Sequence, residues 1–180
     1  MSIRLDFSTL TLMDALDLAA LIELEAHQRY KQFVEQFGTR STDDAGAVFE
    51  SMAVNEKKHC DEIAERRLAL FGEQPPRVKP DDLFDVEAPE VGATRWDMSP
   101  LKAYYVALAA EKKAYDFYDQ ALRHVTQPEV KKLFEELREE EAEHVAMVEK
   151  IIAKLPPSAA EDLEDEDDYP DRPVRDTMEG

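Results

Sequence analysis

Apolar residues return every three or four positions along four stretches of the chain, the spacing that lines one face of a helix. The first stripe reads Leu12, Leu16, Ala19, Glu23, Ala26, Tyr30, Phe33 and Phe37. Thr11, with Asp14 three residues on, predicts its start and Gly38 its end. The second reads Ala45, Phe49, Met52, Glu56, His59 and Ile63. It is expected to begin near Ser41 or Thr42, with Asp43 and Asp44 at the positive end of the helix dipole, and to stop at Gly72 after Leu70 or Phe71. The third is capped by Ser99, carries Pro100 at its first helical position and runs to about His124 through Leu101, Tyr104, Leu108, Glu111, Ala114 with Tyr115, Tyr118 and Leu122. The fourth is expected to open on a capping box of Thr126 and Glu129 around Pro128. It continues through Val130, Phe134, Leu137, Glu141, His144, Val148 and Ile151 to the stop at Pro156 and Pro157.

Two segments break this pattern. Residues 73–99 contain Pro75, Pro76, Pro80 and Pro89 and cannot continue a helix. Their length of 27 residues is long for a connection and predicts a crossover running the length of a bundle. Leu83, Phe84, Val86, Val91 and Trp96 are placed to pin it to the surface. Residues 156–180 hold ten acidic side chains against two arginines, and so −8 of the net −19. With almost nothing apolar to bury, this segment reads as a disordered, solubilising tail, with a docking peptide for a partner or compartment shell as the alternative. The expected organisation is thus an all-α four-helix domain over residues 1–155 and an acidic tail over 156–180.

Each stripe carries one carboxylate where a core residue belongs: Glu23, Glu56, Glu111 and Glu141. In the second and fourth helices a histidine follows three residues later, His59 after Glu56 and His144 after Glu141, which puts both side chains on one face. The first and third helices echo one another as well, with Glu, Ala and Tyr at Glu23, Ala26, Tyr30 and at Glu111, Ala114, Tyr118. The repeats lie 88 and 85 residues apart, predicting two helical hairpins about a pseudo-twofold axis. All four glutamates are expected at matching depth in their helices. Four buried carboxylates repel strongly unless something neutralises them. Two divalent cations match four carboxylates in charge, and two neutral imidazoles complete the donor set. The small alanine one turn after each glutamate leaves room for metal, and the tyrosine two turns on reaches across the bundle.

Composition removes several other classes. A net charge of −19 opposes binding to nucleic acid or to an anionic membrane surface. No apolar run approaches a transmembrane span, and residues 1–7 lack the pattern of a secretory signal. Cys60 is the single cysteine, so a disulfide framework within the chain is excluded and the cytoplasm is the default compartment. Cys60 itself points away from the ligand face and reads as an ordinary thiol. His27 and His124 lack a ligand constellation and read as surface or internally satisfied histidines, and Tyr104 and Tyr115 as core aromatics. Tyr30 and Tyr118 are candidates to hydrogen-bond a ligand carboxylate, with core packing as the equal alternative, and Asn55 and Glu140 are candidates to orient the opposite histidine.

These residues resemble the ferritin-like superfamily and, within it, the rubrerythrin group. Glu23-Leu-Glu-Ala-His-Gln-Arg-Tyr30 is similar to the first-helix motif of rubrerythrins, and the two Glu-x-x-His motifs to their second and fourth, over about residues 8–154. The resemblance implies an antiparallel four-helix bundle with a long crossover between the second and third helices. It also implies two iron ions cycling between the ferrous and ferric states. Glu56 and Glu141 would bridge them, Glu23 and Glu111 would be terminal ligands, and His59 and His144 would bind one ion each. Dimers, sometimes with exchanged hairpins, are implied too. Two departures stand out. Rubrerythrins carry a further Glu one turn after the third-helix ligand, where this chain has Ala114, and usually a rubredoxin module with four cysteines, where this chain has Cys60 alone. The sequence is therefore similar to the bare di-iron domain, an erythrin.

The function expected on this footing is reduction of hydrogen peroxide or dioxygen at a di-iron site, with Glu56, Glu141, Tyr30 and Tyr118 as the catalytic group. Electrons would come from an external donor, a rubredoxin-like or flavin protein. Ferroxidase activity serving iron storage or detoxification is the alternative. Oxygenation of an organic substrate and a non-catalytic metal-binding role rank lower. Carboxylate and imidazole donors also suit manganese or a mixed pair.

Overall fold

The computed structural model describes residues 6–37, 45–79, 88–89 and 98–160. Four helices follow in order: α1 (Leu12–Phe37), α2 (Ala45–Phe71), α3 (Pro100–Leu122) and α4 (Pro128–Ile152), with a short 3-10 turn at Pro157–Ala160. No strand occurs among the described residues, and no helix among them is long and apolar enough to cross a membrane.

The local signals act largely as the sequence predicts. Thr11 and Asp14 cap α1 reciprocally: the Thr11 amide donates to Asp14 Oδ2 at 3.0 Å and the Asp14 amide to Thr11 Oγ1 at 3.3 Å. Gly72, at φ 62°, ends α2 in the left-handed region that a side chain disfavours. Ser99 caps α3 by accepting from the Lys102 amide, and Pro100 occupies the first helical position. The start of α4 differs from expectation. Gln127 is its N-cap, without a side-chain cap bond, while the Thr126 hydroxyl donates to the Ser8 carbonyl at 2.8 Å. The N-terminal segment thus takes the hydroxyl that the capping box would have used. Gly38 and the expected start of the second helix at residues 41–44 lie outside the described residues.

α1 packs most closely on α2 and α3 on α4, giving two hairpins that meet through α2 against α3 and α1 against α4. The core divides into two apolar clusters. One joins Leu16, Leu18 and Ile22 of α1 to Ile63 near the end of α2, Phe117 and Tyr118 of α3, and Val130 and Phe134 at the start of α4. The other joins Tyr30 and Phe33 of α1 to Phe49 and Met52 at the start of α2, Ala103 and Ala107 of α3, and Val148 of α4. The clusters therefore sit at opposite ends, with α1 and α4 running one way and α2 and α3 the other.

The crossover follows from this division. Val78 belongs to the first cluster and Met98 to the second, so the two ends of the connection lie at opposite ends of the bundle. Arg77 starts the traverse by ion-pairing with Asp14 at the head of α1. Midway, Lys113 of α3 donates to the Ala88 carbonyl at 2.7 Å and Arg29 of α1 to the Pro89 carbonyl at 2.9 Å, and both Ala88 and Pro89 are buried. The apolar residues expected to pin the crossover (Leu83, Phe84, Val86, Val91 and Trp96) and the acidic tail from residue 161 lie outside the described residues.

Candidate metal centre

Between the two apolar clusters lies a layer of buried acid. Counting from the first residue of each helix, Glu23, Glu56 and Glu111 are each the twelfth residue of theirs, and Glu141 is the fourteenth. Helices that start at opposite ends and reach mid-length together bring these side chains to one level. The four carboxylates are among the most buried polar groups of the chain, between 0% and 2% exposed. They fall into two groups, Glu23 with Glu56 and His59, and Glu111 with Glu141 and His144. The candidate donor atoms of each group lie within 4.8 Å of one another.

Each group is built within one hairpin: the first helix supplies a glutamate, the second a glutamate and a histidine one turn on. His144 Nδ1 lies 3.2 Å from Glu111 Oε2 and 3.4 Å from Glu141 Oε2, and His59 Nδ1 lies 3.8 Å from Glu23 Oε2. The two imidazoles stack, with centroids 4.7 Å apart and planes inclined by 4°.

The electrostatics mark the layer as an assembly short of positive charge. Burial pushes the Glu23 carboxyl well above the ordinary carboxylate range, and the charges of Glu141, Glu56 and Glu111 push it further. Burial likewise raises Glu141 to about 8, against the opposing hydrogen bond from His144 and with added repulsion from Glu111 and Glu56. At His144 burial disfavours the charged ring, but hydrogen bonds to Glu111 and Glu141 overcome it and raise the pKa to about 10. His59, desolvated and facing His144, is pushed below its ordinary value. Protons thus gather where positive charge is missing. Glu23 Oε2 and Glu111 Oε1 are buried without a hydrogen-bond donor. Buried acceptors of this kind are costly unless something binds them. Two divalent cations, each between two carboxylates and one imidazole nitrogen, fit this donor set in charge and in atom type.

Tyr30 and Tyr118 lie fully buried on opposite sides of the layer. Tyr30 stacks on Phe49 at 6.1 Å in one cluster, and Tyr118 packs edge-on against Phe117 and Phe134 at 5.1 and 5.5 Å in the other. The repeat seen in sequence thus places one tyrosine in each apolar cluster. Ala26 and Ala114, one turn after Glu23 and Glu111, are completely buried.

Other residues behave as the sequence implies, with one exception. His27 is satisfied by the Ala53 carbonyl at 2.7 Å, and the Cys60 thiol points to the Ala20 carbonyl, its pKa raised by burial. Tyr104 and Tyr115, expected in the core, are only half-buried, because small alanines at 103, 107, 110 and 114 fill the inner face of α3.

Sequence reasoning missed a cavity of about 210 Å³ between α2 and α4, lined by His59, Glu62 and Arg66 on one side and Glu136, Leu137 and Glu140 on the other. Its signal lay in the sequence one and two turns after His59 and one and two turns before His144. The charged residues at 62, 66, 136 and 140 share the helix face of His59 and His144, where a closed bundle would be apolar.

The sequence model of the rubrerythrin family matches residues 14–152, and again 101–173. No curated protein matches the chain. Among solved structures, an uncharacterised conserved protein from Magnetospirillum magnetotacticum MS-1, crystallised and refined at 2.00 Å resolution, is similar. Its identity is 33% and its TM-score 0.63, with 82% of this chain and 97% of that chain covered.

Proposed function

The chain belongs to the rubrerythrin family, and we propose that it reduces hydrogen peroxide, or dioxygen, at a di-iron centre held by Glu23, Glu56, His59, Glu111, Glu141 and His144. One observation carries the reading: two Glu, Glu, His groups at a single depth, one per hairpin, facing each other through stacked imidazoles. Two bound ferrous ions supply the electron pair that the reduction of an oxygen–oxygen bond consumes.

The chain's own residues set the conditions. Four carboxylates stabilise the added positive charge of the oxidised state. The two apolar clusters keep bulk water from both ends of the layer and so strengthen the electrostatic contacts of its buried carboxylates. In this reading Glu56 and Glu141, one from each hairpin, would hold the ions together with Glu23, Glu111 and the two histidines, and Tyr30 and Tyr118 would fix carboxylate orientation from either side. A separate rubredoxin-like or flavin protein returns the electrons. The unit is residues 1–155, with 156–180 as an acidic tail, acting in the cytoplasm as a homodimer with or without exchanged hairpins. Manganese, or a mixed pair, suits the same donors.

A second reading, ferroxidase activity in iron storage or detoxification, is favoured by Ala114. This residue is wholly buried one turn after Glu111, where the resemblance to rubrerythrins calls for a further carboxylate. Substitution tests the shared core of both readings. Glu56→Ala and Glu141→Ala are expected to abolish protein-dependent oxidation of ferrous iron, and near-native turnover in both would contradict it.

A further inference from the structure

We propose that the cavity between α2 and α4 is the port through which divalent cations reach the buried centre, guided by Glu62, Glu136 and Glu140 and barred at its mouth by Arg66. The inference rests on reading the two Glu, Glu, His groups as a metal centre.

The layer is closed on its other described sides. Apolar clusters seal both ends of the bundle. Ala88 and Pro89 cover the flank shared by α1 and α3, bound by Lys113 and Arg29, which are close in sequence to the candidate ligands Glu111 and Glu23. The four carboxylates have no usable exposure, at 0% to 2%. The imidazoles do: the His59 side chain is 16% exposed and that of His144 13%. His59 also lines the cavity, so the cavity ends on a candidate ligand.

Size and charge both suit a hydrated cation. About 210 Å³ is far above the ~10–15 Å³ needed for one water, so an ion keeps part of its hydration shell on the way in. The lining carries three carboxylates and one guanidinium, in a chain of net charge −19. A cleft of one sign with low-dielectric walls focuses the field and raises the local concentration of counter-ions. Arg66 crosses from α2 to bond Glu136 of α4 at 2.8 Å, and Lys132 also lies 3.7 Å from Glu136. This exposed pair spans the cleft and is weak enough to open. Glu62 and Glu140 then offer a carboxylate on each wall between the mouth and His59.

Metal uptake separates this proposal from the centre it serves. Apoprotein is titrated with Co2+ to equilibrium, reading visible d–d absorption for affinity and stoichiometry, and then mixed rapidly with Co2+ to obtain the uptake rate. Glu62→Gln with Glu136→Gln is expected to slow uptake by ~10-fold at low salt, leaving affinity and stoichiometry unchanged. Raising ionic strength is expected to slow the unaltered chain towards the variant's rate. Glu35→Gln with Glu50→Gln, which removes the same charge from exposed sites elsewhere on α1 and α2, should change the rate by less than ~2-fold. Arg66→Gln should accelerate uptake. Equal rates for the two double variants, or a rate loss matched by an equal loss of affinity, would overturn the port. Failure of the unaltered chain to bind two Co2+ at equilibrium would overturn the centre, and the port with it.

Discussion

The imidazole of His59 and that of His144 lie parallel and 4.7 Å apart, one from each hairpin, although 85 residues separate them in the chain. Two rings so close cannot both hold a proton without repulsion: Glu111 and Glu141 raise the pKa of His144, while desolvation and then the charge of His144 lower that of His59. Each ring also faces its own pair of glutamates. The pairing predicts that the metals bind as two separable ions. His59→Ala or His144→Ala is expected to retain about one tightly bound metal per chain in place of two, checked by elemental analysis after dialysis. Loss of both ions together would mean that the groups act as one site.

Four carboxylates held at one level burden the metal-free fold. Glu23→Gln removes a carboxyl whose ionisation burial and the neighbouring acids oppose, while keeping shape and volume. It is expected to stabilise the metal-free protein by ~0.5–2 kcal/mol in denaturant titrations at neutral pH. The same change weakens metal binding, so the thermal shift on adding metal shrinks. Destabilisation of the metal-free variant would show that the layer is not strained.

The head of α1 has a separate pH signature. Burial raises the Asp14 carboxyl, but bonds from Arg77 and Thr11 outweigh it and leave the pKa below the ordinary 3.8. A lowered folded-state value contributes stability above the unfolded pKa and loses it as pH falls through the folded one. Asp14→Asn is therefore expected to be less stable than the parent at pH 7 and to converge with it below about pH 3.8, measured by thermal melts. Thr11→Ala, which removes the cap, should cost ~1 kcal/mol.

Ala114 is a test of what the missing carboxylate does. Ala114→Glu places a fifth acid in a fully buried position one turn from Glu111. The metal-free protein is expected to lose ~1–3 kcal/mol, with part recovered on metal binding. If the rubrerythrin-like reading of this position is right, the variant also gains in oxidation by peroxide relative to dioxygen. An unchanged preference would remove Ala114 from the argument between peroxidase and ferroxidase.

Most of this layer was legible because helical spacing is a local property. Glu23, Glu56, Glu111 and Glu141 stood out as acids on apolar stripes, and common depth follows from helix starts that Thr11, Ser99 and Pro100 announce. Three features were not legible. The division of the donors into two groups depends on side-chain distances across the bundle, and spacing along the chain does not specify those. The cap at α4 failed because a contact with Ser8, 118 residues away, claimed Thr126. Tyr104 and Tyr115 were placed inside by periodicity alone, whereas the alanine-rich face of α3 takes the close contacts.

The most direct test of the central claim compares oxidants on one preparation. Apoprotein is loaded anaerobically with ferrous iron, the number bound per chain is measured, and the complex is mixed separately with peroxide and with air-saturated buffer. Remaining ferrous iron is trapped by a chelator at timed intervals. Two ions per chain, oxidised faster by peroxide than by dioxygen and faster than free iron, is the result predicted here. Faster oxidation by dioxygen that continues through excess iron would support the ferroxidase reading. Fewer than two ions bound, or oxidation no faster than in buffer alone, would contradict a di-iron redox centre.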